Sequence, residues 1–410
     1  MSSVLIFGLI VLFGFVGGEL ARKVGLPKVT GFILAGIVLN PRLTNIVPPD
    51  FAAHTDIVLN VALAFITFSV GGTLHYSKIK KLGKGIVSIT FFEGEFAFLV
   101  TAVGIALVAP LFIDIPNATW LTVFIPVGLM MGSLASPTDP SATLAVVHEY
   151  KAHGPVSSTI MGVAALDDTL GIINYSIAVS LASVLAAHQG FSFYASFVSP
   201  MYQIFGAIGL GIIAGVIFNL LTIMLRRETE GSLIVAVLAV LTLCFGLATL
   251  IGVDELLAAM TMGAVVVNFN SRKEKIFRML ERYTDELIFV FFFALSGMHL
   301  DFAVFFSYLP LAMFFVIFRT VGKISGAVTG AAVANSEPAV KKYAWGGLIP
   351  QGGIVIGLAL LIKQIPAFTT FADMIISIII GATVIHELVG PVISKMMIKA
   401  AGEIPKTSAK

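Results

Sequence analysis

Apolar runs separated by short polar interludes fill almost the whole chain, and they predict thirteen helices. Their approximate spans are 2–20, 27–40, 57–76, 85–109, 118–147, 157–187, 201–224, 232–251, 254–269, 284–299, 303–334, 343–362 and 370–399. A helix crossing the hydrocarbon of a bilayer needs about 20 residues. Most of these runs reach that length, the second being short and the eleventh long. The first run is read as a span rather than a cleavable leader. Met1-Ser2-Ser3 carries no positive charge, and Gly17-Gly18-Glu19 is a poor cleavage site.

Two spans are interrupted. The fifth contains Ser136-Pro137-Thr138-Asp139-Pro140, and the twelfth contains Ile349-Pro350-Gln351-Gly352-Gly353. The breaks lie seven spans apart, and an odd offset turns the second copy upside down relative to the first. That predicts spans 1–6 and 8–13 as inverted repeats, with the seventh as linker. Paired broken helices at matching positions point to a transporter's site near the bilayer midplane. Pro140 removes an amide donor and disfavours helix at Asp139. Asp139 is then free to cap a half-helix, while Gln351 and the flexible Gly352 line the opposed break.

Composition narrows the class. Hydrophobic residues make up 58% of the 410 positions and charged ones 12%, with a mean hydropathy of +1.00. Soluble domains are about a quarter charged. The chain is therefore expected to be an all-α polytopic membrane protein, not a soluble enzyme, a nucleic-acid binder or a disordered regulator. The net charge of +2 points to no polyanionic partner. The single cysteine, Cys244, excludes an intramolecular disulfide or a multi-cysteine metal site.

Positive charge orients the spans. Of 25 lysines and arginines, 21 fall in alternate loops and at the C-terminal end, two (Arg42 and Lys363) on the other side, and two (Arg319 and Lys323) inside the eleventh span. The positive-inside rule then places the C-terminus in the cytoplasm and, with thirteen spans, the N-terminus outside.

Ionisable residues inside a membrane are costly and default to function. Here they are Glu19, Glu93, Glu95, Asp139, Asp167, Asp168, Arg319, Lys323 and Glu387. Adjacent residues diverge by about 100° on a helix, so Asp167 and Asp168 cannot both face one partner. A buried carboxylate without water or a cation pays heavily for its charge, so it holds either a proton or a metal cation. That competition is what an exchanger requires. Arg319 and Lys323 share a helix face and need anionic partners. Glu93 and Glu95, two apart, cannot both face the fifth and sixth spans, and they read as caps of broken-helix dipoles or as interfacial. Glu387, just before Gly390-Pro391, reads as charge balance, and Glu19 as a solvated partner of Arg22 and Lys23. The seven histidines map mostly to loops or helix ends and show no metal-binding spacing on a helix. Small residues at Gly31 and Ala35 permit close helix packing.

At these residues the chain resembles monovalent cation/proton antiporters of the prokaryotic Nha/Nap type, in the cation/proton antiporter-2 group. Four passages carry the likeness: Gly25-Leu-Pro-Lys-Val-Thr-Gly31 through Gly36-Ile-Val-Leu-Asn-Pro41, Ser136-Pro-Thr-Asp-Pro140, Ala165-Leu-Asp-Asp168, and Gly347-Leu-Ile-Pro-Gln-Gly-Gly353. The resemblance covers essentially residues 1 to 400. It implies a scaffold of spans 1–3 (residues 1–83) and 8–10 (231–300) that forms a homodimer. A core of spans 4–6 (84–190) and 11–13 (302–400), a linker at 197–227 and a short cytoplasmic tail at 401–410 complete the layout. It implies Asp168 as the cation and proton carrier, Asp167 paired with Lys323 when no cation is bound, and Thr138 and Asp139 shaping the crossover. Arg319 competes for the pairing, since some relatives place an arginine near this position. Potassium-efflux members usually carry glutamine where this chain has Asp167 and append a nucleotide-binding domain. This chain shows neither feature, which favours sodium.

The expected function is Na+ (or Li+)/H+ exchange across a prokaryotic cytoplasmic membrane, without a cofactor and, by the resemblance, electrogenic. The alternative is K+/H+ exchange on the same fold. A cation channel fits the broken helices, but a buried lysine beside the carboxylates would repel cations in an open pore. An intramembrane aspartyl protease needs two aspartates facing each other from separate helices, which an adjacent pair does not supply.

Overall fold

The computed structural model describes residues 3–24, 28–44, 46–48, 51, 55–77, 83–139, 143, 146–147, 150–164, 166–186, 198–224 and 229–405. Pro140, Ala165, residues 25–27 and 78–82 and the tail beyond 405 are among those outside the described residues. The described chain is helical. Its principal helices are α1 Ser3–Lys23, α2 Lys28–Val38, α3 Asp56–Thr73, α4 Gly83–Val108, α5 Ile125–Ala135, α6 Pro155–Ala164 and α7 Asp167–Ala186. They continue with α8 Ser199–Met224, α9 Glu230–Ile251, α10 Glu255–Phe269, α11 Lys273–Tyr283, α12 Asp285–Met298, α13 Leu309–Val333, α14 Gly353–Ile362 and α15 Ala372–Ala400. Among the described residues, seven apolar helical stretches are long enough to cross a bilayer, counting α6 and α7 together as one, and five more are apolar but shorter.

Two groups of neighbours pack most closely. In one, α4 lies along α13 and α5, and α7 along α5; in the other, α3 and α8 flank α10, and α2 lies between α1 and α12. The α4–α13 contact rests on glycine. Gly322, Gly326 and Gly330 form a stripe at four-residue spacing, and a Cβ on Gly326 would stand 2.3 Å from the Phe92 carbonyl oxygen. Only a residue without a side chain lets the two backbones approach so closely. Gly31 of α2 does the same against α1, where its Cβ would lie 2.2 Å from the Gly17 oxygen.

Polar contacts join the helix ends. Lys28 pairs with Glu286 and Glu19 with Arg22 and Lys28; Lys273 meets His75 at 2.8 Å and Lys395 meets Tyr150 at 2.7 Å. Asn40 bonds the Leu300 carbonyl at 2.7 Å, Arg42 pairs with Asp301, and Gln364 reaches Asn60 at 3.1 Å.

Both interruptions appear. The chain is non-helical from Ser136 to the last described residue of that stretch, Asp139, and again from Ile349 to Gly352. One feature differs from the single helix predicted over 157–187. The chain forms two helices there, α6 ending at Ala164 and α7 beginning at Asp167, with Leu166 in a turn. Asp167 and Asp168 are thus the first two residues of a helix rather than its middle. Unpaired amides and the positive end of the helix dipole favour acidic side chains in this first turn.

Candidate functional site

The two interrupted segments cross and are stitched together by backbone and side chain. The Asp139 amide donates to the Pro350 carbonyl at 3.1 Å. Gln351 Nε2 donates to the Leu134 carbonyl at 2.8 Å, and Thr143 Oγ1 to the Gly347 carbonyl at 2.7 Å. Each break leaves helix-end carbonyls without intrahelical donors, deep in a region where an unmet polar group is costly. The glutamine expected to line the second break therefore caps the end of the first.

Arg319, fully buried on α13, completes this work. Its Nη1 donates to the Ile349 carbonyl at 2.6 Å, and its Nη2 to the carbonyls of Pro137 at 2.8 Å and Pro350 at 3.2 Å. One guanidinium thus holds both broken segments by their negative ends. Its planar fork of donors suits it to several carbonyls at once. No salt bridge to Arg319 occurs among the described residues, so the competition for Asp167 resolves toward lysine.

Lys323 lies one turn further along α13, also fully buried. Its Nζ is 2.7 Å from Glu93 Oε2 and 3.7 Å from Asp167 Oδ2. It also donates to Thr138 Oγ1 at 2.8 Å and to the Ser136 carbonyl. Asp167 is thus within ion-pair range, as expected, but Glu93 is the nearer partner. The glycine contact explains this, because Gly326 rests on the Glu93 backbone and brings α4 within reach of a side chain one turn away. Glu95 is half-buried, so the two glutamates diverge as their spacing requires.

Asp139 packs against the second break, where a Cβ on Gly352 would stand 2.6 Å from Asp139 Oδ2. The Glu387 carboxyl lies within electrostatic reach of Asp139, and Thr30 of α2 donates to Glu387 Oε2 at 3.1 Å. Glu387 therefore joins the crossing to the neighbouring helix group rather than serving only as charge balance.

The two adjacent aspartates occupy different surroundings. Asp167 is fully buried. Asp168 is half-buried and opens into a cleft of about 210 Å³ whose walls come from α3 (Phe65, Ser69, Thr73) and α12 (Ile288, Phe289). Asp168 Oδ1 accepts no hydrogen bond among the described residues. Five acids (Glu93, Asp139, Asp167, Asp168 and Glu387) thus share the crossing and its margin with two cations, Arg319 and Lys323. Not all of these acids can be charged in a low-dielectric interior without a bound cation or proton.

Sequence reasoning passed over Ser136 and Asn174. Ser136 Oγ donates to the Gly94 carbonyl at 2.7 Å and accepts from Asn174 Nδ2 at 2.9 Å, tying the first break to α4 and α7. Asn174 lies seven residues after Asp167, two turns along the same helix face, and that spacing was the available signal.

Comparison with known proteins follows the same lines. A family profile described as "Sodium/hydrogen exchanger, transmembrane" matches residues 8–400. The chain is 24% identical over 182 residues to the Na(+)/H(+) antiporter 1 of Methanocaldococcus jannaschii, a match covering 44% of this chain and 40% of that relative. It is 24% identical over 355 residues to the Ammonium/H(+) antiporter subunit AmhT of Alkalihalophilus pseudofirmus, covering 86% and 82% of the two chains. Among solved structures, that of the sodium proton antiporter MjNhaP1 from M. jannaschii at pH 8 has the same fold. Its TM-score is 0.76 at 19% identity, over 98% of this chain and 99% of that one.

Proposed function

Because this chain belongs to the sodium/hydrogen exchanger family, we propose that it exchanges Na+ or Li+ for H+ across the membrane, with Asp168 as the carrier. The observation that carries this reading is the pairing of a half-buried acid that lines a cleft with a fully buried one. Asp168 faces a cleft, while the adjoining Asp167 faces Lys323 and Glu93. Asp168 lines the cleft while its Oδ1 is buried and accepts no hydrogen bond among the described residues, so the charge of this carboxylate is left to a cation or a proton. A proton neutralises the same group, so the two compete for one position. Asp167, Glu93 and Lys323 form the balancing cluster, and breaking the Asp167–Lys323 pair on cation binding releases a second charge for an electrogenic cycle.

Alternating access follows if α4–α7 and α13–α15 move as a core against a scaffold containing α1–α3, α9, α10 and α12. The Asp168 cleft lies along that boundary, since its walls come from α3 and α12. Scaffold dimerisation, the inverted-repeat relation, thirteen spans and a cytoplasmic C-terminus in a prokaryotic inner membrane complete the proposal. A second reading concerns the cargo, because one relative is named as an ammonium/H+ antiporter subunit; K+ is the other alternative.

The test is dequenching of a pH-sensitive dye in inverted membrane vesicles on separate addition of Na+, Li+, K+ and NH4+. The ammonium response is scored against Asp168→Asn, because NH3 crosses bilayers unaided. Dequenching with Na+ and Li+ that Asp168→Asn abolishes is expected. No response to any cation, or an unchanged response in the variant, overturns the proposal.

A further inference from the structure

A basic concavity lies away from the ion site, around α11. This helix joins α10 to α12 and has only 11 residues. Ile276, Met279 and Leu280 are buried, while Lys275, Arg278 and Arg282 point outward and are exposed. Glu274 and Glu281 are exposed as well, so the polar face is charged with cations in the majority, and a short helix with one apolar and one such face suits the plane of a membrane boundary. Its surroundings agree, because apolar α10 ends just before it and apolar α12 begins just after it. Phe269 is exposed at one junction and Tyr283 at the other, as aromatic residues at the headgroup level are.

Beside α11 is a cavity of about 450 Å³, lined by Arg272, Lys273, Lys275, Arg278 and Arg282. Two carboxylates, Glu230 and Glu274, also line it, so the cations are in excess by three. The chain's overall charge of +2 conceals this local concentration. Charge bias between faces requires only that cations lie on one side. It does not require five of them to converge on one hollow.

We propose that this cavity binds a phosphate-bearing anion, the headgroup of an anionic phospholipid. Clustered lysines and arginines on an amphipathic helix at the membrane boundary recognise such lipids, and arginine pairs with phosphate through two parallel hydrogen bonds. The position at headgroup level selects lipid over a soluble phosphate.

The bound headgroup also bears on exchange, a step that rests on the function proposed above. The Phe277 ring of α11 stacks on Phe68 of α3 with centroids 5.3 Å apart and sits over Gly72. On its other side α11 runs directly into α12. These two helices form the walls of the Asp168 cleft. Holding α11 in place therefore holds the scaffold side of the cleft.

The test uses purified full-length protein and the double variant R278Q/R282Q, whose altered residues are both exposed and outside the ion site. Thermal unfolding is followed against added phosphatidylglycerol, phosphatidylcholine or inorganic pyrophosphate. Phosphatidylglycerol is expected to raise the wild-type midpoint and phosphatidylcholine to leave it unchanged. At about one kcal/mol per cation, the variant needs about 30-fold more phosphatidylglycerol for the same shift. R278K/R282K keeps the charge and restores most of the response, which guards against misfolding of the glutamine variant. An identical phosphatidylglycerol response in wild type and R278Q/R282Q overturns the site. A pyrophosphate response equal to that of phosphatidylglycerol supports the phosphate site and overturns lipid as its source. In proteoliposomes, exchange is expected to be faster when phosphatidylglycerol is present, and equal rates in wild type with and without it overturn the coupling. A protein that binds phosphatidylglycerol but exchanges no cation leaves the site standing and removes the function proposed above.

Discussion

Lys323 lies between two buried carboxylates at unequal distances, and that inequality has a measurable consequence. The Nζ–Oε2 distance to Glu93 is 2.7 Å and the Nζ–Oδ2 distance to Asp167 is 3.7 Å. With an effective dielectric constant of about 20, the two attractions are roughly 6 and 4.5 kcal/mol before desolvation is subtracted. Desolvation of each carboxylate is of similar size in both places, since both side chains are fully buried. The difference of roughly 1–2 kcal/mol therefore survives the subtraction. Replacing Lys323 by alanine strands both acids and is expected to cost about 3–5 kcal/mol. Glu93→Gln should cost about 3 kcal/mol and Asp167→Asn about 1–2, because Lys323 keeps the other carboxylate, Thr138 and the Ser136 carbonyl in each case. The assay is a pair of double-mutant cycles, Lys323 with Glu93 and Lys323 with Asp167, read from denaturant unfolding of the purified protein. The coupling to Glu93 should exceed that to Asp167 by at least 1 kcal/mol. Equal couplings, or a larger one to Asp167, refute the reasoning and make Asp167 the principal partner. Exchange activity separates structure from transport, since Asp167→Asn is expected to change charge moved per turnover more than stability.

Other expectations follow from the same contacts. Asp168→Asn should abolish cation-driven proton movement while shifting the unfolding midpoint little, because the side chain is half-buried and faces a cleft; a vesicle dye assay beside a melting curve checks both. Gln351→Ala removes the donor to the Leu134 carbonyl and should destabilise by about 1–3 kcal/mol, the cost of an unmet buried acceptor. Replacing Gln351 by glutamate, which offers no donor when ionised, should be worse, and equal stability of the two variants would count against the capping role. Glu403 accepts from the Val156 and Ser157 amides at 2.6 and 2.8 Å and from Ser157 Oγ at 2.7 Å, so it caps α6 from beyond the end of α15. Glu403→Ala should cost about 2 kcal/mol with the order of cation preference unchanged, and a reordered preference in the dye assay would contradict a purely capping role.

The sequence by itself determined the class of protein, because hydrocarbon accepts only chains that satisfy their own backbone, and long apolar runs broken by charged loops meet that demand. It also located both broken helices, since prolines clustered with polar or glycine residues inside an apolar run disfavour a continuous helix there. It singled out Asp167 and Asp168, because adjacent acids in an apolar run have no cheap structural excuse. What it could not decide was which of the pair faces inward. A helix presents two faces about 100° apart, and only the packing of α7 against its neighbours buries Asp167 and leaves Asp168 at a cleft. Nor could it match cations to anions. Lys323 and Glu93 are 230 positions apart, and their pairing depends on how closely the glycine stripe of α13 lets α4 approach. Arg319 was legible as a buried charge seeking an acid. Its actual partners are the backbone carbonyls of Pro137, Ile349 and Pro350, which every sequence possesses and which gather at one point only when two broken helices cross.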